Sequence, residues 1–108
     1  MGQSHKWGLY ERENPGVCYE YGHSSLYLAG GRNFQEKKMT TDFRRFDVNT
    51  LKWKVLPDMK HPRYSPGVFM SKDKKFVYVF GGQHGSIERI ETQDHKFAVW
   101  QEIQLNFP

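Results

Sequence analysis

Leu26-Tyr27-Leu28-Ala29-Gly30-Gly31 and Phe76-Val77-Tyr78-Val79-Phe80-Gly81-Gly82 are two apolar runs, each closed by a glycine pair. Apolar residues at consecutive positions, without alternation, predict a short strand buried on both faces. Glycine at its end removes the side chain where backbones crowd or turn to positive φ. Around these runs the tryptophans keep step: Trp7, Trp53 and Trp100 stand 46 and then 47 residues apart. Proline follows at a similar interval, Pro15 eight residues after Trp7 and Pro62 nine after Trp53. Self-similarity at such a period indicates an array of stacked supersecondary units.

Within one period the order is an apolar run, Gly-Gly, a polar loop, a second run ending at an acidic residue, a tight turn, then Trp. This order resembles the kelch motif. The matching residues are Leu26 to Gly31, Phe46-Asp47 and Trp53 in one copy, and Val77 to Gly82, Ile90-Glu91 and Trp100 in the other. The resemblance covers two full copies and the tail of a preceding one, His5-Lys6-Trp7 through Pro15. The second copy departs from the pattern. Glu91 replaces the usual aspartate, and Glu91 to Trp100 is three residues longer than Asp47 to Trp53.

The resemblance implies an all-β fold, a fragment of a kelch-type β-propeller with two four-stranded antiparallel blades and one extra N-terminal strand. Residues 1–16 are expected to be the tail of a preceding blade, 17–60 one repeat and 61–108 the next. Strands are expected at 17–21, 26–30, 42–48 and 52–56, then at 67–70, 76–81, 86–92 and 97–105. The Trp on each fourth strand is expected to supply packing surface between blades. Propellers typically close with four to eight blades, so two cannot complete a ring. The chain is accordingly read as a fragment or truncated product, marginal in isolation or self-associating to cover its open blade faces.

Composition agrees with strands: aromatics reach 16%, and strands favour aromatic and β-branched residues. The net charge of +4 is modest, and its clusters, Lys37-Lys38, Arg44-Arg45 and Lys72-Asp73-Lys74-Lys75, read as solvated loops and strand faces. No nucleic-acid surface is expected. The single cysteine, Cys18, cannot form an intrachain disulfide, which favours a reducing, cytoplasmic setting. No apolar run reaches the length of a membrane span.

No two of the five histidines, His5, His23, His61, His84 and His95, lie within four residues of one another, so no local metal-ligand pair exists. Gly81-Gly82-Gln83-His84-Gly85 lacks the lysine and helix of a phosphate-cradling loop. Neither a cofactor nor catalysis is expected. The alternative is a fragment of a kelch-like enzyme, an oxidase, epimerase or specifier protein, or a product without independent function.

The loops after the glycine pairs and between the blades are the candidate site. They gather at one end of a propeller, and function concentrates on loops held by a rigid scaffold. Kelch propellers, by resemblance, bind protein segments there, with arginines at the start of strand one among the contacts. Arg63 holds that place; its counterpart in the first copy is read as Gly16. The expected partner-binding set is Arg32, Asn33, Arg63, Tyr64 and His84, presented to an acidic or mixed peptide of a protein partner by a non-catalytic scaffold or adaptor.

Overall fold

A computed structural model describes residues 11–92 and 98–104. The extra strand expected around Trp7 lies outside the described residues. Among them the chain forms eleven strands: β1 (Arg12–Glu13), β2 (Gly16–Glu20), β3 (Ser25–Ala29), β4 (Arg32–Asn33), β5 (Lys38–Met39), β6 (Phe43–Asp47), β7 (Lys52–Val55), β8 (Gly67–Met70), β9 (Phe76–Phe80), β10 (Ile87–Glu91) and β11 (Gln101–Ile103). Two four-stranded antiparallel sheets run in the orders β2-β3-β6-β7 and β8-β9-β10-β11. A small third sheet, β1-β4-β5, sits beside the first. The segment expected to be an open loop after Gly31 thus carries a hairpin of its own.

The sheets face each other as consecutive blades of a partial propeller. Tyr27, Ala29 and Phe43 of the first meet Val77, Val79, Ile90 and Trp100 of the second, with Leu56 and Met59 of the connecting segment between them. Rings of Phe43 and Trp100 meet edge-on at 4.8 Å between centroids, and Tyr27 stacks on Phe43 at 5.7 Å. The Trp100 indole N–H donates to the Pro57 carbonyl at 2.8 Å, so the ring is buried without stranding its donor.

Side chains alternate across a strand, which explains two departures from expectation. The second strands are apolar throughout, yet only one face of each is buried: Ser25, Tyr27 and Ala29 in β3, Val77 and Val79 in β9. The other faces look away from the single interface that two sheets create. The tryptophans divide for the same reason. Trp100 points into the interface and is 3% exposed. Trp53, tilted against Phe46 at 4.8 Å, lies on the far face of the first sheet and is half-buried.

The three-dimensional repeat is 51 residues through the first two strands, longer than the tryptophan spacing. Arg12-Glu13-Asn14-Pro15-Gly16-Val17 becomes Arg63-Tyr64-Ser65-Pro66-Gly67-Val68. Asn14 and Ser65 both take positive φ, 49° and 51°. Gly31 and Gly82 confirm the alignment. A Cβ on Gly31 would lie 2.7 Å from the Glu13 carbonyl oxygen and 3.0 Å from the Arg12 Cβ. On Gly82 it would lie 2.9 Å from the Tyr64 carbonyl oxygen and 3.0 Å from the Arg63 Cβ. The counterpart of Arg63 is therefore Arg12, which corrects its assignment to Gly16. Gly82 also has φ 74°, so Gly82→Ala combines a left-handed backbone with a clash. It is expected to destabilise by about 1–3 kcal/mol, read from the shift in urea midpoint at constant slope.

Candidate interaction surface

Four segments converge at one end of the blades: the turn before β2, the β4-β5 hairpin, the connection from Pro57 to Pro66, and the loop from Gly81 to Ser86. Backbone hydrogen bonds tie them together. Gly31 N–H donates to the Arg63 carbonyl at 2.8 Å, Tyr64 N–H to Gly82 at 3.1 Å, and Ser65 N–H to Asn14 at 2.8 Å. An isolated bridge pairs Thr40 with Arg63.

Arg63 is at the centre of this end and has no exposed surface; nor has Glu88. Its Nε and Nη2 donate to Glu88 Oε2 at 3.2 and 2.9 Å. Nη1 donates to the carbonyls of Gly81 at 2.8 Å and Ser86 at 2.9 Å, and Nη2 to the Ser86 hydroxyl at 2.7 Å. Glu88 in turn accepts the backbone N–H of Lys60 at 2.6 Å. Every facet of the guanidinium is used inside the protein, so the expectation that Arg63 touches a partner is corrected: it is a pin that holds the connection and the Gly81–Ser86 loop onto β10. Arg12 repeats the device in the first blade, its Nε donating to Asp42 at 2.6 Å.

The other expected residues are placed as follows. Arg32 and Tyr64 line one groove together with Lys37, Lys38, Met39 and Gln83. Arg32 reaches Glu13 at 3.0 Å but stays substantially exposed, and the Tyr64 hydroxyl accepts a bond from the Asn14 amide at 2.6 Å. Asn33 lines an adjoining groove with Arg12, Glu36 and Met39. Its side-chain Oδ1 accepts the N–H groups of Gln35 and Glu36 at 2.8 and 3.1 Å, an Asx turn that shapes the hairpin. His84 lies to the side. Its ring stacks on His61 at 3.6 Å, and Nδ1 meets the Ser86 hydroxyl at 2.8 Å. The His61 ring is itself held by Glu102 at 2.6 Å, and that bond keeps the Glu102 carboxyl below its usual range.

The groove brings in three residues outside the expected set, Lys37, Lys38 and Met39. Their signal was the Lys37-Lys38 pair, which reads as ordinary solvated charge until the β4-β5 hairpin folds it over Tyr64. The resulting groove is lined by three cations, of which Arg32 pairs with Glu13, while Glu36 and Asp42 line the adjoining groove that shares Met39. A second hollow, at the opposite end, is lined by Glu20, His23, Tyr27, Arg45, Asp73 and Lys74 and mixes both signs. Cys18 is half-buried nearby; burial, with the Glu20 charge adding to it, pushes its thiol up to about 11. It is thus a protonated packing residue at neutral pH. Among the described residues no group of three or more His, Cys, Asp or Glu is placed to hold a metal. None of the described helices is long and apolar enough to cross a membrane.

Two antiparallel four-stranded sheets, face to face and repeating the same glycine and arginine positions, define a partial β-propeller of the kelch type. No family model matches the chain. It is 34% identical over 87 residues to an F-box/kelch-repeat protein of Arabidopsis thaliana, covering 76% of this chain and 24% of the relative. It is 26% identical over 91 residues to a kelch repeat-containing protein of Dictyostelium discoideum, covering 78% of this chain and 14% of the relative. The chain is a kelch-repeat protein.

Proposed function

We propose that the chain is a non-catalytic protein-interaction module that takes an acidic peptide segment in the groove of Arg32, Lys37, Lys38 and Tyr64. The observation that carries this reading is the groove itself: the half-exposed Arg32 and the exposed Lys37 and Lys38 of the β4-β5 hairpin gather beside the Tyr64 hydroxyl of the connecting segment, and backbone contacts hold these segments together. Arginine can pair with a carboxylate through two parallel hydrogen bonds, which are stronger than neutral ones. Tyrosine adds contact area at small entropic cost. Asn33 and His84 flank the groove, and Arg63 and Arg12 hold its floor and side. A lone protonated thiol suits a scaffold or adaptor of the cytoplasm. The repeats are proposed to start at Arg12 and Arg63, where the 51-residue register begins, rather than at residues 17 and 61. The Arabidopsis relative joins kelch repeats with an F-box in its name, which fits an adaptor role.

The test is fluorescence anisotropy with a labelled Asp/Glu-rich peptide and a Lys-rich peptide of equal length. The acidic peptide is expected to bind and the basic one not. Arg32→Ala should weaken binding by about 1–2 kcal/mol, the size of an ordinary interface contact, and Lys38→Ala by less. Melting of both variants should match the parent. Equal binding of both peptides, or acidic binding indifferent to Arg32 and Lys38, counts against the groove.

A further inference from the structure

The end of the blades remote from the peptide groove holds a hollow of about 510 Å³, set between the turn at 21–24 and the turn at 71–75. Its size falls within the roughly 300–1,000 Å³ of small-molecule sites. Both walls belong to consecutive repeats of this chain, so the hollow is independent of what precedes or follows them. Glu20, Tyr27 and Thr92 line it yet have almost no exposed surface, and Arg45, Asp73, Lys74 and His23 complete the wall.

Glu20 ends β2 and is 5% exposed. An ionised carboxylate offers about four lone-pair positions. Among the described residues Glu20 meets one long hydrogen bond, from the Tyr27 hydroxyl at 3.4 Å, and the His23 ring at 3.8 Å. A carboxylate so buried and so short of donors is costly unless something supplies them. The charge is particular to this place: 51 residues on, Glu20 becomes Ser71 while Tyr27 becomes Tyr78. Arg45 pairs across the sheet with Tyr27 as Arg89 does with Tyr78. In the second blade the tyrosine hydroxyl accepts from Arg89 at 3.2 Å. In the first it turns to Glu20 instead, and Arg45 donates Nε to the Ser25 hydroxyl at 2.9 Å. The Nη groups of Arg45 have no acceptor among the described residues. Asp47, two residues along β6, is taken up by the N–H groups of Asn49 and Thr50.

The second blade places another cation at the mouth. Lys74 takes positive φ in a turn closed by its N–H to the Ser71 carbonyl at 2.9 Å, and its own carbonyl accepts the Thr92 hydroxyl at 2.7 Å. Its ammonium reaches across to the first blade, where a Cβ on Gly22 would lie 2.7 Å from Nζ. Asp73 is engaged within the same turn by the Ser71 hydroxyl and the Lys75 N–H. We propose that the hollow binds a small zwitterion of the amino-acid class, its ammonium on Glu20 and the Tyr27 oxygen, its carboxylate on Arg45 and Lys74. Two carboxylates, Glu20 and Asp73, stand against Arg45 and Lys74, so a ligand of single charge meets as many repelling groups as attracting ones. A zwitterion satisfies both signs, and a guanidinium can hold its carboxylate through two parallel bonds. Burial pushes the Tyr27 phenol up to about 12, so it stays a hydroxyl that donates to Glu20 and accepts from the ammonium. The site lies at the other end of the blades from the peptide groove and does not rest on it.

The experiment follows the amide resonances of the full chain during titration with glycine, β-alanine and γ-aminobutyrate, zwitterions of increasing length. Acetate and methylammonium serve as the separate halves. At least one zwitterion is expected to bind about tenfold or more tightly than either half, because two charge-assisted contacts act together. The shifts should gather on Glu20, Ser25, Tyr27 and Lys74 and leave Arg32 and Tyr64 of the groove unmoved. Glu20→Gln should weaken the zwitterion roughly ten- to hundredfold, the size of a hydrogen bond to a charged group, with melting close to the parent. Lys74→Met at the mouth should weaken it by less. Where a variant does not fold, the shift map of the parent decides. Absence of saturable binding by all of the zwitterions overturns the proposal. So do halves that bind as tightly as the whole, shifts centred on the groove, or a folded Glu20→Gln that binds like the parent.

Discussion

Arg63→Ala is expected to cost about 3–5 kcal/mol, the penalty of leaving a buried charge without its partner. A domain of this size has roughly 5–15 kcal/mol in all, so the variant should be mostly unfolded at modest urea. Three losses combine. Glu88, with no exposed surface, loses its counter-ion. The carbonyls of Gly81 and Ser86 lose their donor. The contact that draws the connection between the blades onto β10 is released. Removing both charges should be milder than removing one, so Arg63→Met with Glu88→Met is expected to recover a large part of the loss. Arg63→Lys should fall between, because an ammonium keeps the charge but cannot span the carboxylate and two carbonyls at once. Urea denaturation of the parent and the three variants measures these losses. A loss below about 1 kcal/mol for Arg63→Ala, the scale of an exposed ion pair, would show that the pin carries no structural weight.

This result bears on how a site is read from a repeat. Arg63 and Tyr64 are adjacent in the sequence, and their residue types suit an interface equally well. Strand alternation at the bridge to Thr40 sends one inward and leaves the other on the groove. What marked Arg63 as internal was available: Arg12 stands 51 residues earlier, before the same Pro-Gly-Val. The tryptophan spacing hid it, because the first blade has the longer loop between its second and third strands and the second blade has more residues between its third and fourth. The first difference is seven residues and the second three, so the register runs 51 through the first two strands, 44 at the third and 47 at the tryptophans.

The strands themselves were legible. Apolar runs, Gly-Gly pairs and acidic turn residues placed most strand ends within a residue or two, since burial and turn chemistry are local. The β4-β5 hairpin was not legible, because Arg32-Asn33 and Lys38-Met39 have little strand propensity. They pair because the Asn33 Asx turn brings their backbones together. The groove depends on that hairpin, which is why Arg32 and Tyr64 could be named from sequence and Lys37, Lys38 and Met39 could not.

Trp100→Ala is the second large effect, with an expected loss of about 3–5 kcal/mol as a large-to-small change in a packed core. The ring fills the space between blades against Phe43 and bonds to the Pro57 carbonyl. Its removal opens a cavity and takes the donor from the partly buried Pro57 carbonyl. Trp53→Ala, made at the same place in the other repeat, should cost clearly less in dilute solution, because Trp53 is only half-buried. From sequence the two tryptophans are interchangeable; the difference between them is created by which face of a blade another blade covers. The pair therefore measures blade stacking itself, with strand propensity and side-chain size held fixed. Trp100→Phe keeps much of the volume and loses the indole N–H, so it should fall well short of the alanine loss. Equal destabilisation by Trp53→Ala and Trp100→Ala in dilute solution would mean that the blade–blade interface is not where the chain's stability resides.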